Sequence, residues 1–360
     1  MPPQVSVIVR SMARASLAQS LSAIARQAHP SVEVVLVAAC GPAHPAPDGR
    51  CGPFRVRYVA SEMPLSRPQA ANAGLDAAQG DFVTFVDDDD TIDPDHLSGL
   101  VAAASEAGPA RIVHCLARAV FRDGTTKLVG RPVALMQLYE RSYLHLSTAL
   151  VPRPLVDAGC RFDPGFAILE DWDFFLALAQ RAQFHFVPRQ TFVWNADAGD
   201  SGAGGGANQD DARFVKYRDL VYAKWRGTAE ALIDRVQPVL QAAAGAAQRG
   251  AFGDAEAACR SVLTFSQNDP WALNLLAMIQ RATGRMQDAR RTQELAVDVR
   301  PGDADLVYNL ALLCRDLGDR GAASRHAAHA VGLAPQVAKY RLLASQMGPP
   351  DHADEADQTP

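Results

Sequence analysis

The sequence predicts an α/β domain with a mainly parallel sheet followed by an all-α domain, and three observations carry that prediction. Short β-branched runs alternate with segments of helical period over the first half, strand signals then cease, and alanine-rich helices recur at a fixed spacing from about Gln241. A chain of 360 residues is long enough for two cores of ordinary size. With 48% apolar and 21% charged residues, its balance is that of a folded globular protein.

VSVIV at residues 5–9 reads as the first strand, and Leu17, Leu21, Ile24 and Ala28 then recur at helical spacing. Ser16 with Gln19 has the form of a capping box at the start of that helix. VEVVLVAA at 32–39 reads as a fully buried second strand, and FRVRYVA at 54–60 as a third. Residues 66–78 read as a helix in which the missing N–H of Pro68 falls where it costs little, and DFVTFV at 81–86 as a fourth strand. The sequence Asp93, Pro94, Asp95 predicts an N-cap, N1 and N2 before HLSGLVAAA.

In the second half the period is 34: Gly250, Gly284 and Gly318 are each 34 apart, as are Ala255, Ala289 and Ala323, and Val262, Ala296 and Ala330. Pro301 and Pro335 close the last two units. This pattern resembles the tetratricopeptide (TPR) repeat, in which small residues let paired antiparallel helices approach closely and proline ends the second helix. The resemblance implies a concave surface for a protein partner, or equally a surface for self-association. The expected organisation is a first domain at 1–226, a linker at 227–242, TPR-like repeats at 243–347 and a disordered acidic tail at 348–360.

The net charge of −5, with no long basic run, argues against a general nucleic-acid binder. No charged leader precedes the first short apolar run, and no stretch of about 18 apolar residues is present, so the expected location is cytoplasmic, with peripheral association at the inner membrane face as a variant. Six scattered cysteines without a CxxC pair predict neither a zinc site nor a disulfide framework.

Asp87, Asp88, Asp89 and Asp90 follow the fourth strand directly. Four adjacent carboxylates repel and raise one another's pKa unless a cation or hydrogen-bond donors offset them. Hard cations such as Mg²⁺ or Mn²⁺ prefer carboxylate oxygen, and Mg²⁺ commonly completes its shell with water and substrate phosphate. In open α/β sheets ligands bind beyond the carboxyl ends of the strands, where this run lies.

VSVIV, LSRPQAANAGLDAAQGDFVTFVDDDD at 65–90 and FDPGFAILEDWDFFLALA at 162–179, in that order, resemble a family 2 glycosyltransferase with the GT-A fold, a Rossmann-like nucleotide-diphospho-sugar transferase domain. The resemblance covers roughly residues 5–224. It implies an inverting hexosyl-type transfer from a nucleotide sugar to an acceptor hydroxyl of a glycan, a lipid-linked glycan or a protein, in surface glycan or glycoconjugate synthesis, with Mg²⁺ or Mn²⁺.

Carried onto this chain, the resemblance puts the DxD element at Asp87, Asp88 and Asp89, with Asp89 on the metal. Arg67, Asn72, Asp87 and Asp88 fall at the donor. Asp171 is implied as the base that takes the acceptor proton, with Glu170 beside it. Glu170, Asp171 and Asp173 would equally suit the first turn of a helix, where negative charge favours the macrodipole. Two departures stand out. Ala38, Ala39, Cys40 and Gly41 follow the second strand where relatives often carry an acidic contact to the base, and Asn195 stands where they often place a histidine. Both departures leave open an inactive fold that works with the repeats as a protein-binding module. The glycine-rich stretch beginning at Gly199 reads either as a loop closing over the donor or as a plain connection.

Overall fold

The computed structural model describes residues 2–108, 110–198 and 210–349. The glycine-rich stretch at 199–209 and the acidic tail from 350 lie outside the described residues. The chain forms two compact units: Met1–Arg131 with Arg141–Arg226, and Pro132–Glu140 with Gly227–Pro360.

In the first unit the strands are β1 (Val5–Ser11), β2 (Val32–Ala38), β3 (Arg50–Cys51), β4 (Phe54–Val59), β5 (Phe82–Phe85), β6 (Thr91–Ile92), β7 (Ile112–Val120), β8 (Thr126–Val129), β9 (Ala149–Pro152) and β10 (Phe184–Asn195). They form one mixed sheet in the order β3-β4-β2-β1-β5-β9-β7-β10-β6, with β8 paired to β7. β4, β2, β1 and β5 run parallel, as the alternating pattern predicts. Every residue of β1 and β2 is buried, which is why these strands read as mainly apolar runs rather than as alternation, with Ser6, Arg10, Ser11 and Glu33 as their buried polar positions. β9 enters antiparallel to β5, and β7 antiparallel to β9, beyond that parallel half.

The connecting helices are α1 (Leu17–Ala25), α2 (Arg67–Ala77), α3 (His96–Ala107), α4 (Leu135–Glu140, in the second unit), α5 (Arg153–Asp157) and α6 (Glu170–Ala179). The capping box expected at Ser16 is not formed, because Ser16 has helical backbone angles and its side chain caps nothing. A capping box is present at Ser66 and Gln69 instead, where Ser66 is extended (ψ 162°) and starts α2. α3 also begins later than the Asp93, Pro94, Asp95 pattern predicts. Asp95 is its N-cap position, but the carboxylate pairs with Arg189 instead of the helix N–H groups.

α7 (Asp211–Gln248) carries the chain from the first unit into the second, and residues 227–242 lie within it. There α8 (Phe252–Phe265), α9 (Pro270–Ala282), α10 (Met286–Val299), α11 (Ala304–Asp316), α12 (Arg320–Leu333) and α13 (Ala338–Met347) follow, joined by short turns. The 34-residue period has a physical meaning at each column. Gly250, Gly284 and Gly318 hold φ of 78°, 78° and 81°, the left-handed turn that reverses the chain between helices. Ala255, Ala289, Ala323, Val262, Ala296 and Ala330 are all 0% exposed. Asp269 and Asp303, also 34 apart, accept N–H bonds at the starts of α9 and α11.

Candidate active site

β1 carries a charged residue, Arg10, at its next-to-last position, although every position of the strand is buried. Its Nε and Nη2 donate to the two Asp87 carboxylate oxygens at 2.8 and 2.6 Å, and its Nη1 donates to Glu170 Oε1 at 2.9 Å. One guanidinium thus ties the end of β5 to the start of α6, in a planar two-pronged geometry that lysine does not reproduce. Burial opposes a charge on Arg10, but the two carboxylates more than offset it and raise its pKa. In return, Arg10 overrides the effect of burial on Asp87 and holds that carboxyl down at about 2.

The four aspartates then separate by role. Asp88 is fully buried and accepts from Ser11 Oγ at 3.1 Å, Met12 N at 2.7 Å and Arg14 Nη1 at 2.5 Å, which fixes the turn after β1. Asp90, 2% exposed, accepts from Asn195 N at 3.0 Å, yet burial and the charges of Asp89 and Asp87 raise its pKa well above the ordinary range. Asn195 also donates its side-chain N–H to the Asp89 carbonyl. Asp89 lines both clefts with Arg14 at 3.7 Å, and burial with the neighbouring charges of Asp87 and Asp88 raises its pKa.

Two clefts meet over these residues. Arg10, Arg67, Asp87 and Asp89 line both. The smaller, about 260 Å³, continues along the start of α2 at Ser66 and Arg67, past Arg14 and Arg213, with Met12, Ala39, Leu65 and Ala70 as apolar wall. The larger, about 330 Å³, holds Glu170 and Asp171 and is walled by Tyr143, His145, Trp172, Trp194, Phe214 and Tyr222. Arginines thus line both clefts, and aromatic rings wall only the second.

Leu169, just before α6, holds φ 59° and ψ 19°, a left-handed conformation that is unfavourable for a branched residue. The turn it makes starts α6 at Glu170, with Glu170 and Asp171 both lining the cleft. Asp171 Oδ1 accepts from Trp172 N at 2.8 Å. Burial and the adjacent Glu170 charge push the Asp171 carboxyl up to about 7. Asp173, the third acid of this turn, is elsewhere: it takes Trp225 Nε1 at 2.8 Å and Lys224 Nζ at 2.9 Å, and so docks α7 on α6.

The predicted residues Arg67, Asp87, Asp89, Glu170 and Asp171 therefore converge, Arg67 Nη1 lying 3.9 Å from Glu170 Oε1. Asn72 and Asp88 do not line either cleft. Asn72 spends its amide on the backbone, donating to Phe162 O at 2.8 Å and accepting from Phe162 N at 2.9 Å, which positions the loop leading to α6. Asn195 acts on the acidic turn through hydrogen bonds. Arg10, Arg14 and His145 were missed by sequence reasoning. A charge directly after the apolar run of a buried strand could have flagged Arg10; His145 lies in an unpatterned stretch that offered no cue. His145 packs its ring on Phe192 at 4.7 Å and Trp194 at 5.4 Å, and burial, though opposed by Asp87, lowers its pKa to about 4.

Among the described residues no group of three His, Cys, Asp or Glu side chains converges into a cage for a metal ion. Of the acidic run, Asp87, Asp89 and Asp90 reach the clefts, and Asp89, whose pKa is raised first by burial and then by the charge of Asp87, offers the kind of carboxylate oxygen that hard cations prefer.

In open α/β sheets ligands bind beyond the carboxyl ends of the parallel strands, and it is there that these acidic side chains and arginines gather. Residues 6–145 match the model of the family described as Glycosyl transferase family 2. The chain is 28% identical over 197 residues to the uncharacterized glycosyltransferase YwdF of Bacillus subtilis (strain 168), covering 52% of this chain and 72% of that protein. It is 32% identical over 108 residues to the succinoglycan biosynthesis protein ExoO of Rhizobium meliloti (strain 1021), covering 29% and 31%. The chain spans between 17% and 72% of the length of the curated relatives it matches. A crystal structure of S. aureus TarS 1-349 in complex with UDP aligns over 95% of this chain and 90% of that one, with 15% identity and a TM-score of 0.43. No helix among the described residues is long and apolar enough to cross a membrane.

Proposed function

We propose that this protein is an inverting glycosyltransferase that moves a sugar, of hexosyl type, from a nucleotide-diphosphate donor to an acceptor hydroxyl in surface glycan or glycoconjugate synthesis. The observation that carries the reading is the meeting of two unlike clefts at one set of charges: an arginine-marked cleft suited to a diphosphate, and an aromatic cleft that holds a carboxylate poised to titrate near neutrality.

In this reading the donor diphosphate lies against Arg67 and the start of α2, and Arg10 keeps Asp87 ionised and holds Glu170 in place. Asp171 accepts the acceptor hydroxyl's proton as that oxygen attacks the anomeric carbon from the face opposite the leaving diphosphate; a single displacement of this kind inverts the centre. Asp89 would hold Mg²⁺ or Mn²⁺, which when bound neutralises charge gathering on the leaving diphosphate. The apolar wall at Ala39 offers a base shape and stacking area but no carboxylate. We read the helical unit as TPR-like repeats that bind a protein partner or a second copy of the chain. Domain limits near 226 and 243 and a cytoplasmic, membrane-peripheral location complete the proposal.

The test is thermal stability with and without Mn²⁺ across a panel of nucleoside diphosphates, since a ligand bound only by the folded state raises it by RT ln(1 + [L]/Kd). At 100 times Kd the gain is about 2.7 kcal/mol. A metal-dependent rise with at least one nucleotide is expected, and its absence with every nucleotide would overturn the reading.

A further inference from the structure

The chain leaves the first unit once before α7, immediately ahead of residues that wall the aromatic cleft. Residues 132–140, which carry α4, belong to the second unit, although the chain on either side of them belongs to the first. Within the second unit the turn after α8 holds this segment. Asn268 Nδ2 donates to Val133 O at 2.8 Å, and Leu135 N donates to Gln267 O at 3.0 Å. Ala134, fully buried, packs with Leu273, Ala296, Val299 and Leu306 of α9, α10 and α11. The turn that makes these bonds breaks the 34-residue pattern. Gln267 stands in the column of Pro301 and Pro335. Asn268 holds φ 52°, a left-handed angle that Asn tolerates and that Gly302, in the same column, does not adopt. The repeat is thus altered at the two residues that grip the segment.

Residues 141–146 follow α4 directly, and all six line the aromatic cleft. Residues 141–145 form neither helix nor strand, so no backbone ladder fixes their path. Their far end is fixed locally, where Thr148 donates its N–H and Oγ–H to His145 O at 3.0 and 2.7 Å. Their near end is α4. An irregular segment held at both ends regains backbone freedom when one end is released. His145 passes such a change on to the strand beneath it, because its ring lies 5.4 Å from that of Trp194, which also lines the cleft. We propose that the helical unit positions this wall of the cleft through residues 132–140, with Asn268 as the positioning residue. The inference deepens the transferase reading, on which it rests for taking this cleft as the acceptor side. It gives the helical unit a role within its own chain, separate from any partner that unit binds.

The experiment uses the whole chain labelled with 5-fluorotryptophan, whose four tryptophans give four fluorine NMR signals, together with amide hydrogen exchange read by mass spectrometry. Asn268→Gly suits the left-handed angle and removes the amide, while Asn268→Asp keeps the shape but, ionised, cannot donate. In both variants exchange over residues 132–146 should quicken about three- to tenfold, as expected for one lost hydrogen bond. The Trp194 signal should shift or broaden, while that of Trp225, which lines neither cleft, stays in place. A bond that only stabilises the helical unit would loosen residues 132–140 and nothing beyond them. Unchanged exchange over 132–140 in either variant, or faster exchange there with residues 141–146 or the Trp194 signal unchanged, would overturn the inference. These readouts need neither nucleotide nor turnover, so they fail separately from the transferase reading, which is tested by metal-dependent nucleotide binding.

Discussion

Replacing Asp171 by asparagine should produce two effects of opposite sign. Asparagine keeps an oxygen that can accept the Trp172 N–H bond, so the start of α6 is preserved, but it takes no proton from an acceptor hydroxyl. Loss of a general base typically lowers the rate by about 10² to 10⁴. The same change removes a strained charge. The Asp171 carboxyl sits at about 7 against an ordinary 3.8. A carboxyl raised in the folded state binds its proton more tightly there than in the unfolded chain. Its ionised form therefore opposes folding, and stability falls as pH rises from about 4 through 7. The difference of about 3 units corresponds to at most about 4 kcal/mol at pH 8, a penalty that asparagine lacks. The assay pairs nucleoside diphosphate release from a panel of nucleotide sugars with thermal unfolding at pH 6 and 8. Wild-type kcat/KM should fall about tenfold per pH unit below 7, and the variant should be the more stable protein at pH 8 by several degrees. Turnover within threefold of wild type would refute the base assignment. A variant less stable than wild type at pH 8 would refute the buried-charge argument.

Other expected outcomes follow from the same geometry. Asp89→Asn should abolish the Mn²⁺-dependent part of nucleotide binding, read as loss of the metal-dependent Tm shift, while the fold stays intact because the Asn195 bond goes to the Asp89 backbone carbonyl. Arg10→Met should destabilise by about 3–5 kcal/mol in urea unfolding, since it strands two buried carboxylates. Arg10→Lys should recover part of that loss, restoring the charge but not the two-pronged pairing with Asp87. Gly284→Ala meets open space for its Cβ but forces φ of +78°, and should cost about 1–2 kcal/mol with no effect on nucleotide binding.

The sequence by itself determined the elements whose signals are local. β1, β2 and β5 were legible because parallel strands buried on both faces are written mainly in apolar residues, and β4 because its aromatic and β-branched positions alternate with arginines that face outward. The 34-residue period was legible because every reversal needs a residue tolerant of φ near +80°, and every close helix contact needs a small side chain. The acidic run and the Glu170, Asp171 pair announced themselves as motifs. Tertiary structure alone decided which acids do what. Asp88 differs from Asp89 by one position, yet one is locked beneath the turn after β1 and the other faces both clefts, and no propensity distinguishes them. Arg10 is joined to Glu170 across 160 positions of chain. Asn72, a polar residue in the right motif, turned inward to the Phe162 backbone. Hydrogen-bond partners and buried charge balance depend on contacts between distant segments, and these are fixed only when the sheet closes its register.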